Sequence, residues 1–181
     1  MIGRTIHELQ AGDVAERVHR VARDGVAEFV DAVGDYNPIH SDAEYAATTS
    51  FKEPIAPGVY TASLISAVIG TQLPGPGAIY LSQSLKFTKP VKLGDTITAR
   101  VTVMEVIRDR NRIRLLTVCR NQRGEEVLAG EAWVMPSREP VVYKRRAPEP
   151  AVVTLALQPW AWAARATTLW LSMLSAATPR R

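Results

Sequence analysis

Two segments of the chain carry hydrophobic residues at helical spacing. In the first, apolar side chains recur at i, i+3, i+4 and i+7, which predicts a helix containing Val26, Phe29, Val30 and Val33. Asp24 can cap the start of this helix, and Gly34 ends it. In the second segment, residues 58–70, apolar and small residues occupy nearly every face, which predicts a buried helix.

Two shorter elements are predicted before the buried helix. Weak alternation over residues 16–21 indicates a strand, on which His19 is expected to be exposed and without a catalytic role. A short helix is expected over residues 43–48, begun by Ser41 or Asp42, and Phe51 is expected to anchor the following loop to the body.

After the Pro- and Gly-rich turn at residues 73–77, the hydrophobic pattern changes to a period of two, which is typical of strands. Alternate positions of the expected strands hold Ile79, Leu81, Leu85 and Phe87, then Ile97, Ala99, Val101 and Val103, then Ile113, Leu115 and Cys119, then Val127, Ala129 and Trp133. Turn residues at 92–95, 109–111 and 121–124 join these strands as hairpins. A buried helix followed by an antiparallel meander predicts an α+β fold in which the sheet wraps the helix.

The segment with the clearest chemical potential is the hexapeptide Asp-Tyr-Asn-Pro-Ile-His at residues 35–40. Pro38 fixes its own φ and moves Asn37 out of the α region, so we expect a defined turn in which Asp35, Asn37 and His40 converge. An imidazole titrates near neutrality and, beside a carboxylate, suits acid–base chemistry. Spacing alone leaves open that Asp35 is a turn residue and His40 a surface residue, because Asp, Asn and Pro are ordinary turn formers.

The hexapeptide, with the segments that follow it, resembles the MaoC-like (R)-specific enoyl-CoA hydratases, especially those that supply monomers for polyhydroxyalkanoate synthesis. The pattern Asp-x-Asn-Pro-x-His is accompanied by similar segments at residues 46–51, 54–58, 62–66, 72–87 and 90–95. The likeness extends over roughly residues 5–136. It implies a hot-dog fold, a homodimer, and syn addition of water to a trans-2-enoyl-CoA to give the (3R)-hydroxyacyl-CoA. No metal or redox cofactor is then needed, and coenzyme A enters as part of the substrate.

The same resemblance implies roles for individual residues. Asp35 and His40 are expected to bind and polarise one water and to exchange its protons with the substrate, while Asn37 orients the pair or holds that water. The N–H of Gly58, at the start of the buried helix, is expected to bind the thioester oxygen as it becomes negative. The residue alone also permits a plainer interpretation, that Gly58 only supplies a permissive φ. The chain has Pro57 where the family usually has His, so one polar contact is missing there.

Other residues of the buried helix receive supporting roles. Ser66 lies two turns after Gly58, and the resemblance implies that it supports the catalytic pair, although a helix serine often bonds only to its own backbone. An acyl tunnel is expected to be walled by Leu64, Ile65 and Ile69, for which core packing is an equal explanation.

Charge, cysteine content and the first residues limit the kind of ligand and the compartment that are expected. The net charge of +4 among 181 residues suits an anionic small molecule and is too weak and scattered to predict nucleic-acid binding. A single cysteine, Cys119, excludes an intrachain disulfide and offers no metal cluster. The first residues carry no apolar signal-peptide core, from which a cytoplasmic location is expected.

Three alternative functions remain open on the sequence. A (3R)-hydroxyacyl-acyl-carrier-protein dehydratase would use the same fold and residues in the reverse direction. A hot-dog thioesterase would release free thiol from a saturated acyl-CoA, and the Asn-Pro-x-His pattern argues against it. A non-catalytic acyl-CoA-binding or granule-associated protein would depend on the C-terminal segment.

The domain organisation predicted from the sequence has three parts. Residues 1–136 form the hot-dog domain, and residues 137–150, rich in proline and basic residues, form a linker. Residues 151–181 are apolar and Trp-rich, with a helix expected over about residues 160–175. Pro159 and Arg165 interrupt this segment, so it lacks the roughly 18 uninterrupted apolar residues of a spanning helix. It is expected to pack on the domain or its dimer mate, to contact a membrane or polymer-granule surface, or to be disordered.

Overall fold

The computed structural model describes residues 1–144. Its helices are α1 (Arg23–Val33), α2 (Ala43–Thr48) and α3 (Gly58–Thr71), with short 3-10 turns at Ile6–Glu8 and Pro38–His40. Its strands are β1 (Ile2–Gly3), β2 (Val14–Arg20), β3 (Ile79–Gln83), β4 (Lys86–Phe87), β5 (Thr96–Ile107), β6 (Arg112–Arg120), β7 (Glu126–Met135) and β8 (Val141–Val142). In this part of the chain, no helix has both the length and the apolar character needed to span a bilayer.

Six of the strands form one antiparallel sheet around α3. The order is β2-β5-β6-β7-β3, and β4 also pairs with β7. Helix α3 buries one side against the inner face of this sheet, through Tyr60, Thr61, Leu64, Ile65, Val68 and Ile69. The strands contribute Ile97, Ala99, Val101, Val103, Ile113, Leu115, Cys119, Leu128, Ala132 and Val134 to this core. The α+β hot-dog arrangement predicted from the sequence is therefore confirmed. Val59, Ser63 and Ser66 on the other side of α3 are exposed, so the prediction that the helix is buried on nearly every face is wrong.

Three strands depart from the predicted alternation. In β7, a register shift opposite Cys119 and Arg120 turns Leu128, Ala132 and Val134 inward, whereas Ala129 and Trp133 are only half-buried. A bulge of this kind inserts one residue and reverses the face of those that follow. In β3 and β4, the predicted apolar face is largely exposed, at 52% for Ile79, 41% for Leu81 and 52% for Phe87.

The start of α1 also differs from the prediction. Ala22 is the N-cap residue, and no side chain caps the helix there. Asp24 lies within the first turn, where its Oδ1 accepts a hydrogen bond from the N–H of Gly25 at 3.0 Å. Asp24 is therefore not the cap, although a carboxylate in the first turn still interacts favourably with the helix dipole.

The folded unit continues past the predicted boundary at residue 136. Val141 and Val142 pair with Gly3 and Ile2 as a two-stranded sheet, and Ser137 forms a bridge with Thr5. The first half of the predicted linker thus belongs to the domain, because it returns to pair with the N-terminal residues. The predicted linker residues 145–150 and the C-terminal helix lie outside the described residues.

Candidate active site

Helix α1 delivers the chain directly into the candidate site. Gly34 ends the helix in the left-handed conformation, with a φ of 72°. The N–H of Asp35 then donates to the carbonyl of Val30 at 3.1 Å, so the backbone at Asp35 is fixed to the last turn of the helix. As the pattern predicted, α1 ends where the hexapeptide begins.

Asn37 and Pro38 form the turn that carries His40. Asn37 has extended backbone angles, and its Oδ1 accepts a hydrogen bond from the N–H of Ile39 at 3.3 Å. Pro38 begins a single 3-10 turn, which the N–H of His40 closes by donating to the carbonyl of Asn37 at 3.1 Å. Asn37 therefore helps to orient His40 through the backbone of the turn.

The two titratable groups of the hexapeptide face each other. His40 Nε2 lies 3.5 Å from Asp35 Oδ2, and the side chains are 10% and 39% exposed, respectively. The other ring nitrogen, Nδ1, lies 2.8 Å from the backbone carbonyl of Ile55. A carbonyl oxygen can only accept, so Nδ1 must carry a proton and donate it to Ile55.

This contact decides the tautomer of the neutral imidazole. With Nδ1 protonated, Nε2 presents a lone pair toward the carboxylate of Asp35. Two acceptors therefore meet at 3.5 Å, and a shared proton or the hydrogens of one water would satisfy both. This geometry suits the uptake and return of a proton by His40 Nε2 or Asp35 Oδ2.

The loop that holds Ile55 also leads into α3. The N–H of Ile55 donates to the carbonyl of Ile39 at 3.2 Å, and the N–H of Ala56 donates to the carbonyl of Val91 at 2.8 Å. Pro57 is the N-cap residue of α3, with a φ of −55°. The same short segment thus fixes the tautomer of His40 and sets the start of α3 at Gly58.

At the N-terminus of α3, two N–H groups are available to a ligand. The N–H groups of Tyr60 and Thr61 donate to the carbonyl of Pro57, whereas within residues 1–144 those of Gly58 and Val59 have no acceptor. Unpaired N–H groups at a helix start bear partial positive charge. They are suitable donors to an oxygen that becomes negative during a reaction.

Gly58 allows a close approach of another side chain and does not need a left-handed backbone conformation. Its φ is not positive, so the interpretation that it only supplies a permissive φ is wrong. A Cβ at this position would lie 2.9 Å from Cε1 of Phe87. The absence of a side chain lets the ring of Phe87 lie directly against the first turn of α3.

An open cavity of about 600 Å³ adjoins this turn. It is largely apolar, and its walls include Phe51, Ile55, Gly58, Val59, Leu85, Phe87 and Lys89. Phe51 is 38% exposed, so it lines this cavity and does not anchor its loop by deep burial. Gly58 and Ile55, whose carbonyl accepts from His40, both line this cavity, whereas Asp35 and His40 are not among its lining residues.

The predicted acyl-tunnel residues lie elsewhere. Leu64, Ile65 and Ile69 are 7%, 0% and 2% exposed and pack in the core between α3 and the sheet. They are not among the residues that line the cavity at Gly58. These residues therefore pack in the core, and their role as tunnel walls stays a prediction.

Ser66 lies on the exposed side of α3. Its hydroxyl makes no hydrogen bond to Asp35 or His40 in the described part of the chain. The supporting role implied by the resemblance therefore stays a prediction.

Sequence reasoning missed three long-range contacts, two of which involve site residues and one of which involves Tyr60 of α3. The carbonyl of Ile55 binds His40, and Phe87 contacts Gly58 from another strand. His19 is half-buried and bonds to the hydroxyl of Tyr60 at 2.8 Å, so the expectation that it is exposed was wrong. All three contacts join residues distant in the chain, and no local pattern indicates them.

Metal ligands and a reactive thiol are not features of the described region. Within residues 1–144, no three His, Cys, Asp or Glu side chains cluster as a metal site would require. Burial raises the pKa of Cys119 to about 12, so its thiol stays protonated. The expectation that the reaction needs no cofactor stays a prediction.

Comparison with known proteins identifies the family. The family model for the MaoC-like domain matches residues 8–122. The (R)-specific enoyl-CoA hydratase of Rhodospirillum rubrum is 43% identical over 132 residues, which cover 72% of this chain and 91% of the relative. The 3-hydroxybutyryl-CoA dehydratase of Methylorubrum extorquens is 45% identical over 133 residues, covering 73% and 84%.

A solved structure agrees with these relatives. The unliganded R-hydratase PhaJ1 from Pseudomonas aeruginosa superposes with a TM-score of 0.76 at 43% identity, covering 83% of this chain and 97% of PhaJ1. The likeness therefore includes both the sequence and the fold that carries Asp35, His40 and Gly58. The chain belongs to the MaoC-like family of hot-dog hydratases and dehydratases.

Proposed function

We propose that this protein is an (R)-specific enoyl-CoA hydratase, which adds water to a trans-2-enoyl-CoA in the syn sense and forms the (3R)-hydroxyacyl-CoA. The observation that carries the proposal is the facing pair of His40 Nε2 and Asp35 Oδ2, with Nδ1 of His40 occupied by the carbonyl of Ile55. Relatives at 43–45% identity are named for this reaction or for its reverse on a CoA thioester.

In the proposed mechanism, one water donates its hydrogens to His40 Nε2 and Asp35 Oδ2. Its oxygen attacks C3 of the enoyl group while one of the two residues takes a proton. A proton then returns to C2 on the same face, so that both new bonds form on one side of the double bond. The two acceptors lie close enough for one water to contact both. General acid–base catalysis of this kind typically contributes ~10²–10⁴-fold in rate.

The second element of the mechanism stabilises the negative thioester oxygen. The N–H of Gly58 is the proposed donor, with the neighbouring N–H of Val59 also unoccupied by protein acceptors in the described residues. A preorganised donor of this kind is worth about 3–4 kcal/mol in the transition state. Holding water and enoyl group at near-attack distance contributes up to ~7–11 kcal/mol.

The apolar cavity beside Gly58 is the proposed binding place for the enoyl thioester. Its walls supply the hydrophobic surface that an acyl group needs, and Lys89 is the cationic residue among them. Lys89 Nζ binds Glu125 Oε1 at 2.6 Å, so its charge is already paired. We therefore assign the cavity to the acyl and thioester portion of the substrate and not to the coenzyme A phosphates.

We extend the proposal to a homodimer. Strand β3 ends the order of the main sheet. Large apolar side chains are exposed on β3 (Ile79 and Leu81), on β4 (Phe87) and between the two strands (Leu85). An apolar edge strand promotes association unless another chain or element covers it. Sedimentation velocity at assay concentrations should give the mass of two copies, and a monomer would contradict this part of the proposal.

The experiment that tests the function is hydration of crotonyl-CoA, followed by loss of the enoyl-thioester absorbance. Chiral analysis of the product should give the (3R) alcohol. The same acyl group presented on acyl-carrier protein distinguishes the dehydratase alternative, for which the carrier-protein substrate would be preferred. Release of free thiol from butyryl-CoA would indicate a thioesterase, and binding of crotonyl-CoA without any absorbance change would indicate a non-catalytic protein.

A further inference from the structure

Tyr60 joins three elements of the fold at the start of α3. It is the third residue of the helix, and the residue is only 7% exposed. Its hydroxyl lies 2.8 Å from Nε2 of His19 on β2, and its ring meets that of Phe29 on α1 edge-on, with centroids 5.5 Å apart. The side chain therefore ties the first turn of α3 to a strand and to another helix.

Tyr60 and His19 form a hydrogen bond between two aromatic side chains. The two ring centroids are 5.9 Å apart and the planes are tilted by 56°, so the hydrogen bond brings the aromatic rings together at a defined angle. Burial, and secondarily the charge of Asp24, raises the pKa of Tyr60, so the phenol stays protonated at neutral pH. A buried hydroxyl deprived of its partner would lose a hydrogen bond that water cannot readily replace.

The same turn of α3 is contacted on another side. Gly58 lies against Phe87, at a separation that leaves no room for a Cβ. The hydrogen bond between Tyr60 and His19 restrains the same turn two residues later. The N–H groups of Gly58 and Val59, which have no acceptor among residues 1–144, belong to this turn.

We propose that Tyr60 and His19 are positioning residues, which fix the first turn of α3 so that the N–H of Gly58 points at the substrate oxygen. This inference rests on the proposed function of Gly58 and extends it to a pair of residues outside the cavity. Neither side chain touches the reacting atoms. Their effect is on the geometry of the donor, where a displacement of about 1 Å is enough to slow a reaction by roughly 10²-fold.

The test distinguishes the effect of the Tyr60 hydroxyl from the effect of the Tyr60 ring. Tyr60→Phe keeps the ring against Phe29 and removes only the hydrogen bond, and His19→Leu removes the other partner. His19→Gln is the rescue variant, because its side-chain amide can occupy the place of Nε2. Tyr80→Phe is the matched control, since the Tyr80 hydroxyl is also hydrogen-bonded, to Gln83 at 2.5 Å, and Tyr80 does not line the cavity.

We expect Tyr60→Phe and His19→Leu each to lower kcat for crotonyl-CoA by about tenfold, with KM changed by less than about twofold. The double variant should be no slower than either single variant, because both remove the same contact. His19→Gln and Tyr80→Phe should keep kcat within about twofold of the parent. Unchanged kcat in Tyr60→Phe, or fully additive losses in the double variant, would overturn the inference.

A second measurement does not depend on activity. Amide hydrogen exchange of a peptide that covers residues 57–62 should be faster in Tyr60→Phe than in the parent, and unchanged in Tyr80→Phe. If the parent protein hydrates no enoyl-CoA, the proposed function fails, and the exchange result still decides whether the pair fixes the turn. Equal exchange in the parent and in Tyr60→Phe rejects the positioning role.

Discussion

The imidazole of His40 is held between two oxygens: its Nδ1–H donates to the carbonyl of Ile55 at 2.8 Å, and its Nε2 lies 3.5 Å from Oδ2 of Asp35. The first contact fixes which nitrogen carries the proton, and the second directs the free lone pair toward a carboxylate. This relationship places two proton acceptors, His40 Nε2 and Asp35 Oδ2, side by side.

Removing either member of the pair should abolish hydration. We expect Asp35→Asn and His40→Ala to lower kcat for crotonyl-CoA by ~10²–10⁴-fold, because each removes a general acid–base group. Circular dichroism should show that both variants remain folded. The matched controls are Asp31→Asn, an exposed carboxylate in α1, and His7→Ala, an exposed imidazole, which should keep full activity. Near-full turnover by either site variant would reject the assignment.

Adding a methyl group at Gly58 should disturb the oxyanion donor. In Gly58→Ala the new Cβ would meet the Phe87 ring at 2.9 Å, so the ring or the turn must move. We expect kcat to fall by about tenfold or more. Gly70→Ala, in the same helix but with open space around its Cβ, is the control and should gain about 0.5–1 kcal/mol of stability without loss of kcat. Equal rates for the two variants would contradict a special role for position 58.

The single cysteine should be unreactive in the folded protein. Cys119 is fully buried, and burial raises its pKa to about 12, so almost no thiolate exists at neutral pH. We expect iodoacetamide to alkylate Cys119 only after the protein is unfolded in guanidinium chloride, as measured by mass spectrometry. Alkylation at the same rate with and without denaturant would show that the core around β6 opens readily.

Glu125 should contribute stability that disappears in acid. Hydrogen bonds from Asn121, Lys89 and Arg123, in that order of effect, lower the pKa of Glu125 from 4.5 to about 2. A carboxyl group with a lowered pKa in the folded state stabilises the protein above its ordinary pKa, and this contribution is lost as the pH falls from about 4.5 to about 2. The difference in Tm between the parent and Glu125→Gln should therefore be present at pH 6 and shrink steadily over that window. A difference that does not change with pH would contradict this account.

Truncation tests the role of the C-terminal segment. Residues 151–181 contain three tryptophans and no acidic residue, and they lie outside the described residues. If this segment contacts a membrane or polymer granule, a chain ending at residue 146 should move from the lipid or granule fraction to the supernatant, while its kcat is retained. The full-length chain with Trp160, Trp162 and Trp170 changed to Ser is the control, because it removes the tryptophans without shortening the chain. Unchanged partition of the truncated chain would remove the anchoring hypothesis.

Local patterns predicted the elements that support the site. Helix α2 has the predicted bounds, with Asp42 as its N-cap, and α3 begins at Gly58 as expected. The turn at Asn37 and Pro38 also forms where the residues favour it. These features depend on neighbours within a few residues, because capping, turn formation and amphipathic spacing are local properties of the chain.

Tertiary structure decided what the local pattern could not. The inward face of β7 depends on a bulge opposite β6, and the extension of the domain to Val142 depends on pairing with Ile2. Ile55 contacts His40, Phe87 contacts Gly58 and His19 contacts Tyr60, each from a distant segment, so these contacts depend on how the chain folds around α3. The amino-acid sequence by itself determined which groups can react and which short segments present them. Only the folded chain determined the direction of the His40 lone pair and the partner of Tyr60, because contacts between distant segments depend on register and packing, which no local periodicity encodes.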